Sequence, residues 1–230
     1  MTKDFRIAGF CAIVAGSLLF AGCFGVTQEN QEQGNNEKEI VSEKVVEPIT
    51  TVEKDVNGGK LQYPVVNTGN KTVSDAINAD INAFIEKEAA GEGGDISKHT
   101  MEYSTKLDDD NVVAFLFIQS IGYKGAAHPN TKVDTLVYDK TTGKRKVLSD
   151  YVDITLDEIL QVAQEEYYSI RGGKYNHTPQ FKPTKMPKDF YPDKEGNIWI
   201  VFQKYELGPG MEDASMVKIP VSKVKKIKDV

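Results

Sequence analysis

Across 230 residues the chain carries 40% hydrophobic and 27% charged side chains with a formal net charge of -6, close to the balance of a soluble globular protein. That charge offers no broad attraction to phosphate backbones or anionic lipid heads, so nucleic acid is not an expected partner. Two cysteines cannot make a disulfide scaffold and three histidines leave little for a metal centre, which disfavours most catalytic classes before any motif is read.

Lys3 and Arg6 precede an apolar run from Ile7 to Phe20 that is shorter than the about 20 residues a membrane span needs. Residues 1–22 read as a secretory signal. Phe20-Ala21-Gly22-Cys23 resembles the bacterial lipobox, in which the signal is removed before the cysteine and the thiol receives a diacylglycerol. Phe20 stands where that motif commonly has Leu. The expected mature chain begins at lipidated Cys23, on the extracytoplasmic face of a bacterial membrane, and Cys11 leaves with the signal. Loss of Lys3, Asp4 and Arg6 takes the net charge from -6 to -7. Residues 23–42 read as a tether, because Thr27 to Lys38 contain no aliphatic side chain and cannot bury enough surface to offset the entropy of ordering. About 20 flexible residues reach about 25 Å.

From Val41 to Asn67, β-branched residues alternate with charges and break at Asn57-Gly58-Gly59, which predicts strand, turn and strand. Val73, Ile77, Ile81, Phe84 and Ile85 fall on one helical face, with Thr72 and Asp75 spaced as a capping box, predicting an amphipathic helix over 70–88. Met101 to Leu107 alternates. Val112 to Ile118 is apolar on both faces, as in an interior strand. Val133 to Tyr138 is another strand, turning at Asp139 to Gly143 into a further strand at Lys146-Val147-Leu148. A second helix is predicted from Thr155, capped by Glu158, through Tyr167 and Ile170 to Gly172-Gly173. Phe190-Tyr191 and Ile198 to Phe202 flank a turn, and Val217 to Val221 supplies the last strand. The result is an α+β fold, a mainly antiparallel sheet with two main helices packed on one side, arranged as one large domain or two intimately packed halves.

Candidate chemistry is sparse. His99, His128 and His177 are too far apart in sequence to ligate a metal from one helix, and each reads as a solvated or core-edge histidine. Asp108-Asp109-Asp110-Asn111 and the Asp193 to Asn197 stretch lack the ligand spacing of a calcium loop and read as hairpin turns. No nucleophile elbow or phosphate loop is present, so no catalytic constellation, metal or cofactor is implied. Two loops leaving strands stand out, Gly122 to Thr131 around His128, and Tyr205 to Met211 around Gly208-Pro209-Gly210. Tyr205, Pro209 and His128 are the candidate binding residues.

The series Ala127-His128-Pro129-Asn130-Thr131, Tyr138-Asp139 with Gly143, Leu148 and Tyr151, Phe190-Tyr191 with Ile198, and Phe202 with Tyr205-Glu206-Leu207-Gly208-Pro209 resembles the extracytoplasmic domain shared by RsiV-type anti-sigma factors and PdaC-type peptidoglycan deacetylases. The resemblance places a PdaC-like accessory region at 43–135 and an RsiV-like C-terminal domain at 136–230. It implies an α+β fold and a non-catalytic role in the cell envelope, with lysozyme, which RsiV-type proteins bind, or peptidoglycan as partner. Only six residues precede the apolar run, so an anti-sigma function does not transfer. The paired metal histidines of a deacetylase domain are absent, and Gly210 to Ala214 departs from the aromatic and small residues the family often has after the proline. The expectation is a lipid-anchored, non-enzymatic binding module. Its competitor is a cell-wall hydrolase or deacetylase using unrecognised carboxylates.

Overall fold

The computed structural model describes residues 47–91, 93 and 95–223; the expected signal, Cys23 and the tether lie outside them. Strands β1 (Ile49–Val56) and β2 (Gly59–Val66) pair antiparallel, Ile49 opposite Val66 and Val56 opposite Gly59. Their turn lies flat on β3 (Ile96–Asp108). A Cβ on Gly59 would run into the His99 carbonyl, so this approach admits only glycine.

Helix α1 (Lys71–Ala90) is capped two residues earlier than the Thr72 box predicts. Asn70 is the N-cap, its side chain accepting from the Thr72 and Val73 N–H groups, while Thr72 already sits inside the helix. Asn78 then ties α1 to the end of β2, its amide bonding both the N–H and the C=O of Val66. Because α1 carries the chain back across the sheet, β3 lies parallel to β2, with Leu61 opposite Met101. Strands β4 (Val112–Tyr123) and β5 (Asn130–Asp139) complete an otherwise antiparallel sheet in the order β1-β2-β3-β4-β5.

A second sheet has the order β6-β9-β8-β7, from β6 (Tyr167–Ser169), β7 (Asp189–Pro192), β8 (Ile198–Phe202) and β9 (Ser215–Ile219). The second helix is much shorter than its apolar spacing predicts. Helix α2 covers Leu156–Val162, with the expected Thr155 and Glu158 capping box. Beyond it the Glu165 and Glu166 N–H groups both close on the Val162 carbonyl, and Tyr167 is drawn onto β9 opposite Val217. Tyr167 and Ile170 are buried as the periodicity requires, but from a strand and a turn; pairing in the sheet overrides local preference. The strand expected at Lys146 to Leu148 is also replaced. The Lys146 N–H donates to the Val137 carbonyl, and Leu148–Asp150 is a short 3-10 turn.

Two cores result. Ile77, Ile81 and Ile85 of α1 pack with Met101, Phe115, Phe117, Leu136 and Tyr138 on one face of the first sheet. Ala114, Leu116, Val133 and Val137 on its other face pack with α2 and the second sheet. The two helices therefore belong to different layers instead of sharing a side. β4 is buried on both faces, as its continuous apolar run predicts. The sheets meet at the outer edge of β5, where side chains take the place of a neighbouring strand. Gln203 pairs with both the N–H and the C=O of Val133, and Asp189 accepts from the N–H and hydroxyl of Thr135. The border expected between 135 and 136 thus falls inside β5. Among the described residues no helix is long and apolar enough to cross a membrane.

Candidate functional site

Four elements change character toward the same end of the α1-facing core. In α1 the buried stripe Ile77, Ile81, Ile85 continues three residues on to Glu88. On β4, Val113, Phe115 and Phe117 share a face with Gln119; on β3, Met101 is followed outward by His99; on β5, Leu136 by Asp134. The register staggers these switches, with Met101 opposite Gln119 and Phe117 opposite Asp134, so that His99, Gln119 and Asp134 run diagonally across the three strands. The outcome is a buried polar layer at one end of an apolar one. Gln119 is 0%, His99 1%, and Glu88 and Asp134 each 5% exposed.

Hydrogen bonding in the layer fixes the orientation of its amide and imidazole. Gln119 Nε2 donates to Glu88 Oε2 and Asp134 Oδ2, each at 2.9 Å. This turns Gln119 Oε1 toward His99 Nε2 at 2.8 Å, and because an amide oxygen only accepts, His99 carries its proton on Nε2. His99 Nδ1 has no hydrogen-bond partner. Lys132 Nζ donates to both Glu88 oxygens, at 2.9 and 2.7 Å, and stands 4.0 Å from Asp134. Lys188, whose side chain is 79% exposed, sits 3.6 Å from Asp134 and 3.9 Å from Asp189. Burial raises the Asp134 carboxyl above the ordinary carboxylate range against the pull of Lys132, with the Glu88 charge adding to the rise. Burial also raises Asp189, against Lys188 and the Thr135 bonds. Buried carboxylates shifted this way beside a cleft are a recurring mark of functional sites.

A cleft of about 520 Å³ opens over this layer, lined by Glu88, His99, Lys132, Asp134, Lys188 and, on its rim, Tyr205. A second of about 430 Å³ shares Glu88, Asp134 and Lys188 and continues past Phe84, Arg145 and Asp189. The first lies within the size of small-molecule sites, about 300–1,000 Å³.

The structure separates the three candidate binding residues. Tyr205 lines the cleft, is 62% exposed, and holds φ at +69°, a conformation that costs a non-glycine residue about 1–2 kcal/mol. Pro209 lies outside the cleft lining and caps the short 3-10 turn Gly210–Glu212. Its flanking glycines make room for side chains of the same loop. A Cβ on Gly208 would meet the Glu212 carboxylate, and one on Gly210 the Tyr205 ring. Glu212 is held in turn by the Tyr167 hydroxyl at 2.8 Å, and its carbonyl by the Tyr175 hydroxyl at 2.9 Å. The Tyr205 to Asp213 loop is thus clamped, with a second positive φ at Asp213, +62°. His128 is exposed, lines neither cleft, and has Nδ1 against its neighbour's carbonyl, Pro129 O, at 3.2 Å. The end of its loop, Asn130 and Thr131, does reach the cleft, and Thr131 donates to Asp213 at 3.3 Å.

Glu88, Gln119, Lys132, Asp134 and Lys188 were not singled out by sequence; the first four are polar residues at the end of an apolar periodicity that only the fold brings together, and Lys188 reaches Asp134 from the segment before β7. Asp109 and Asp193 accept backbone N–H groups within their own hairpin turns. Among the described residues no group of three His, Cys, Asp or Glu could hold a metal ion.

No family model and no curated protein matches the sequence. Among solved structures the chain is similar to a DUF3298 family member from Bacteroides fragilis NCTC 9343, with 14% identity, a TM-score of 0.48, and coverage of 78% of this chain and 93% of that one. It is also similar to a DUF3298 family protein from Pseudomonas aeruginosa PAO1, with 10% identity, a TM-score of 0.49, and coverage of 76% and 91%. The structural neighbours of this chain are thus DUF3298 family proteins.

Proposed function

We propose that the protein is a lipid-anchored, non-enzymatic binding module of the bacterial cell envelope, held at the membrane by Cys23, that recognises peptidoglycan or a lysozyme-type protein at the Tyr205 rim of the cleft. The observation that carries this reading is Tyr205 itself. A bulky aromatic is kept largely in solvent on a left-handed backbone, in a loop clamped from both sides. Folding alone is better served by glycine at such a φ, and exposed aromatics on rigid loops are the side chains enriched at binding hot spots.

The competing enzyme reading gains one observation, the Glu88 and Asp134 carboxylates sharing Gln119. Its weakness is chemical. Glu88 accepts three hydrogen bonds from Gln119 and Lys132 and is almost wholly buried, so it does not stand ready to exchange a proton with a substrate, which leaves Asp134 without a second carboxylate to complete an acid–base pair.

Two measurements test the proposal. The full chain should be captured by immobilised peptidoglycan or lysozyme, and Tyr205→Ala should weaken capture by about 1 kcal/mol or more at an unchanged melting temperature. Cys23→Ala should abolish labelling by a fatty-acid probe and release the protein from membranes. Turnover of a cell-wall substrate that disappears in Asp134→Asn would favour the enzyme instead.

A further inference from the structure

The charges around the 520 Å³ cleft restrict what enters it. Among the described residues its lining holds two carboxylates, Glu88 and Asp134, and three ammonium groups, Lys132, Lys188 and Lys204. A compact cation would face the lysines and a compact anion the carboxylates, and neither finds a region of one sign. Lys132 and Glu88 satisfy each other. What is left for a ligand is mixed. Among the described residues Asp134 Oδ1 has the loose Lys188 pair at 3.6 Å, and Lys188 is mostly in solvent. Among the described residues His99 Nδ1 has no partner at the floor, where a bridging water can serve it. Asn130 and Thr131 add neutral polar groups, Ile96 and Ile121 a small apolar wall, and Tyr205 an exposed ring on the rim.

The geometry points to a neutral, hydroxyl-rich ligand carrying an amide and a small apolar group: an N-acetylated amino-sugar unit, with its ring on Tyr205, its hydroxyls between Asp134 and Lys188, and its acetyl methyl against Ile96 and Ile121. Hydroxyls both donate and accept, which matches a lining of alternating carboxylate and ammonium groups where an ion of either sign does not. A planar aromatic beside such groups supplies the apolar contact for the face of a sugar ring. The assignment rests on the reading of Tyr205 as the recognition edge, and it names the ligand chemistry that reading leaves open.

The experiment uses the full chain and N,N'-diacetylchitobiose, a soluble disaccharide of N-acetylglucosamine, followed by calorimetry and by amide chemical shifts. Saturable binding is expected, with shifts confined to the residues around Tyr205, Thr131 and Asp134. Tyr205→Ala and Asp134→Asn should each raise Kd about fivefold or more without lowering the melting temperature. Absence of saturable binding, or shifts centred elsewhere, overturns the assignment. So does binding of 1,4-diaminobutane or succinate at these residues when the disaccharide does not bind. Capture on peptidoglycan or lysozyme that needs Tyr205 but is not competed by the disaccharide sinks the sugar assignment and leaves the recognition edge standing. Disaccharide binding without capture on either leaves the sugar site and overturns the envelope reading.

Discussion

The two ends of the α1-facing layer are built by the same four elements and have opposite energetics. At one end Ile77, Ile81, Phe115, Phe117 and Tyr138 exclude water, with Phe84 and Phe117 rings 5.1 Å apart. At the other, three residues on in α1 and two along each strand, Glu88, His99, Gln119 and Asp134 are just as buried but depend on one another for hydrogen bonds. Burying apolar groups stabilises in proportion to area. Burying a polar network at best recovers its own desolvation cost. A chain selected only to fold would have continued the apolar stripe, so the polar end marks where this structure gives up stability, and a cleft opens there.

The largest expected effect lies at the apolar end. Phe117→Ala removes a fully buried ring with aromatic neighbours on both sides and should cost about 3–5 kcal/mol, measured by denaturant unfolding. A loss below 1 kcal/mol would mean that α1 is not packed as described. At the polar end, Gln119→Leu keeps the volume but strands the His99 Nε2 proton and takes the donor from Asp134. It should cost about 2 kcal/mol, and a neutral result would show that water readily replaces the amide.

How much of this contrast was legible in sequence follows from its physics. The first helix, the β1–β2, β3–β4 and β7–β8 hairpins and the interior character of β4 rest on periods within one segment, and those periods are visible in a single chain. The second helix was overdrawn because Tyr167 and Ile170 fit a helical spacing equally well, and the partner that decided otherwise, Val217, lies far along the chain. Tyr205 was readable from its loop chemistry. The polar layer was not: His99 reads alone as an ordinary histidine, and Glu88, Gln119 and Asp134 as polar ends of apolar stripes, until a register that sets Met101 opposite Gln119 and Phe117 opposite Asp134 brings Gln119 diagonally between His99 and Asp134.

Titration sharpens the comparison. The folded Asp134 carboxyl is raised above its unfolded value of 3.8, first by burial. Such a group favours folding while protonated, and that contribution is lost as pH rises through the folded value, so ionised Asp134 is a net cost at neutral pH. Asp134→Asn keeps an acceptor for Gln119 and removes the charge. Its melting temperature should exceed that of the natural protein at pH 7, with the difference shrinking to nothing below about pH 4. A natural protein that is the more stable at pH 7 would show that Lys132 and Lys188 overcompensate the burial, and the polar end would then be a structural device.

The smallest expected stability change is at Tyr205, and it separates rim from scaffold. Glycine at that position relieves a left-handed conformation worth about 1–2 kcal/mol but loosens the unfolded chain by about 0.5–1 kcal/mol. It also loses the ring contact with Gly210 and the Lys204 ammonium 5.4 Å above the ring, an exposed cation–π pair of about 0.5 kcal/mol. These contributions nearly cancel. Tyr205→Gly should move the melting temperature by no more than about 3 °C and weaken binding at the cleft as much as Tyr205→Ala does. If the variant instead unfolds many degrees lower, the ring is a strut holding the Gly208-Pro209-Gly210 loop, its exposure is incidental, and recognition belongs to the floor of the cleft.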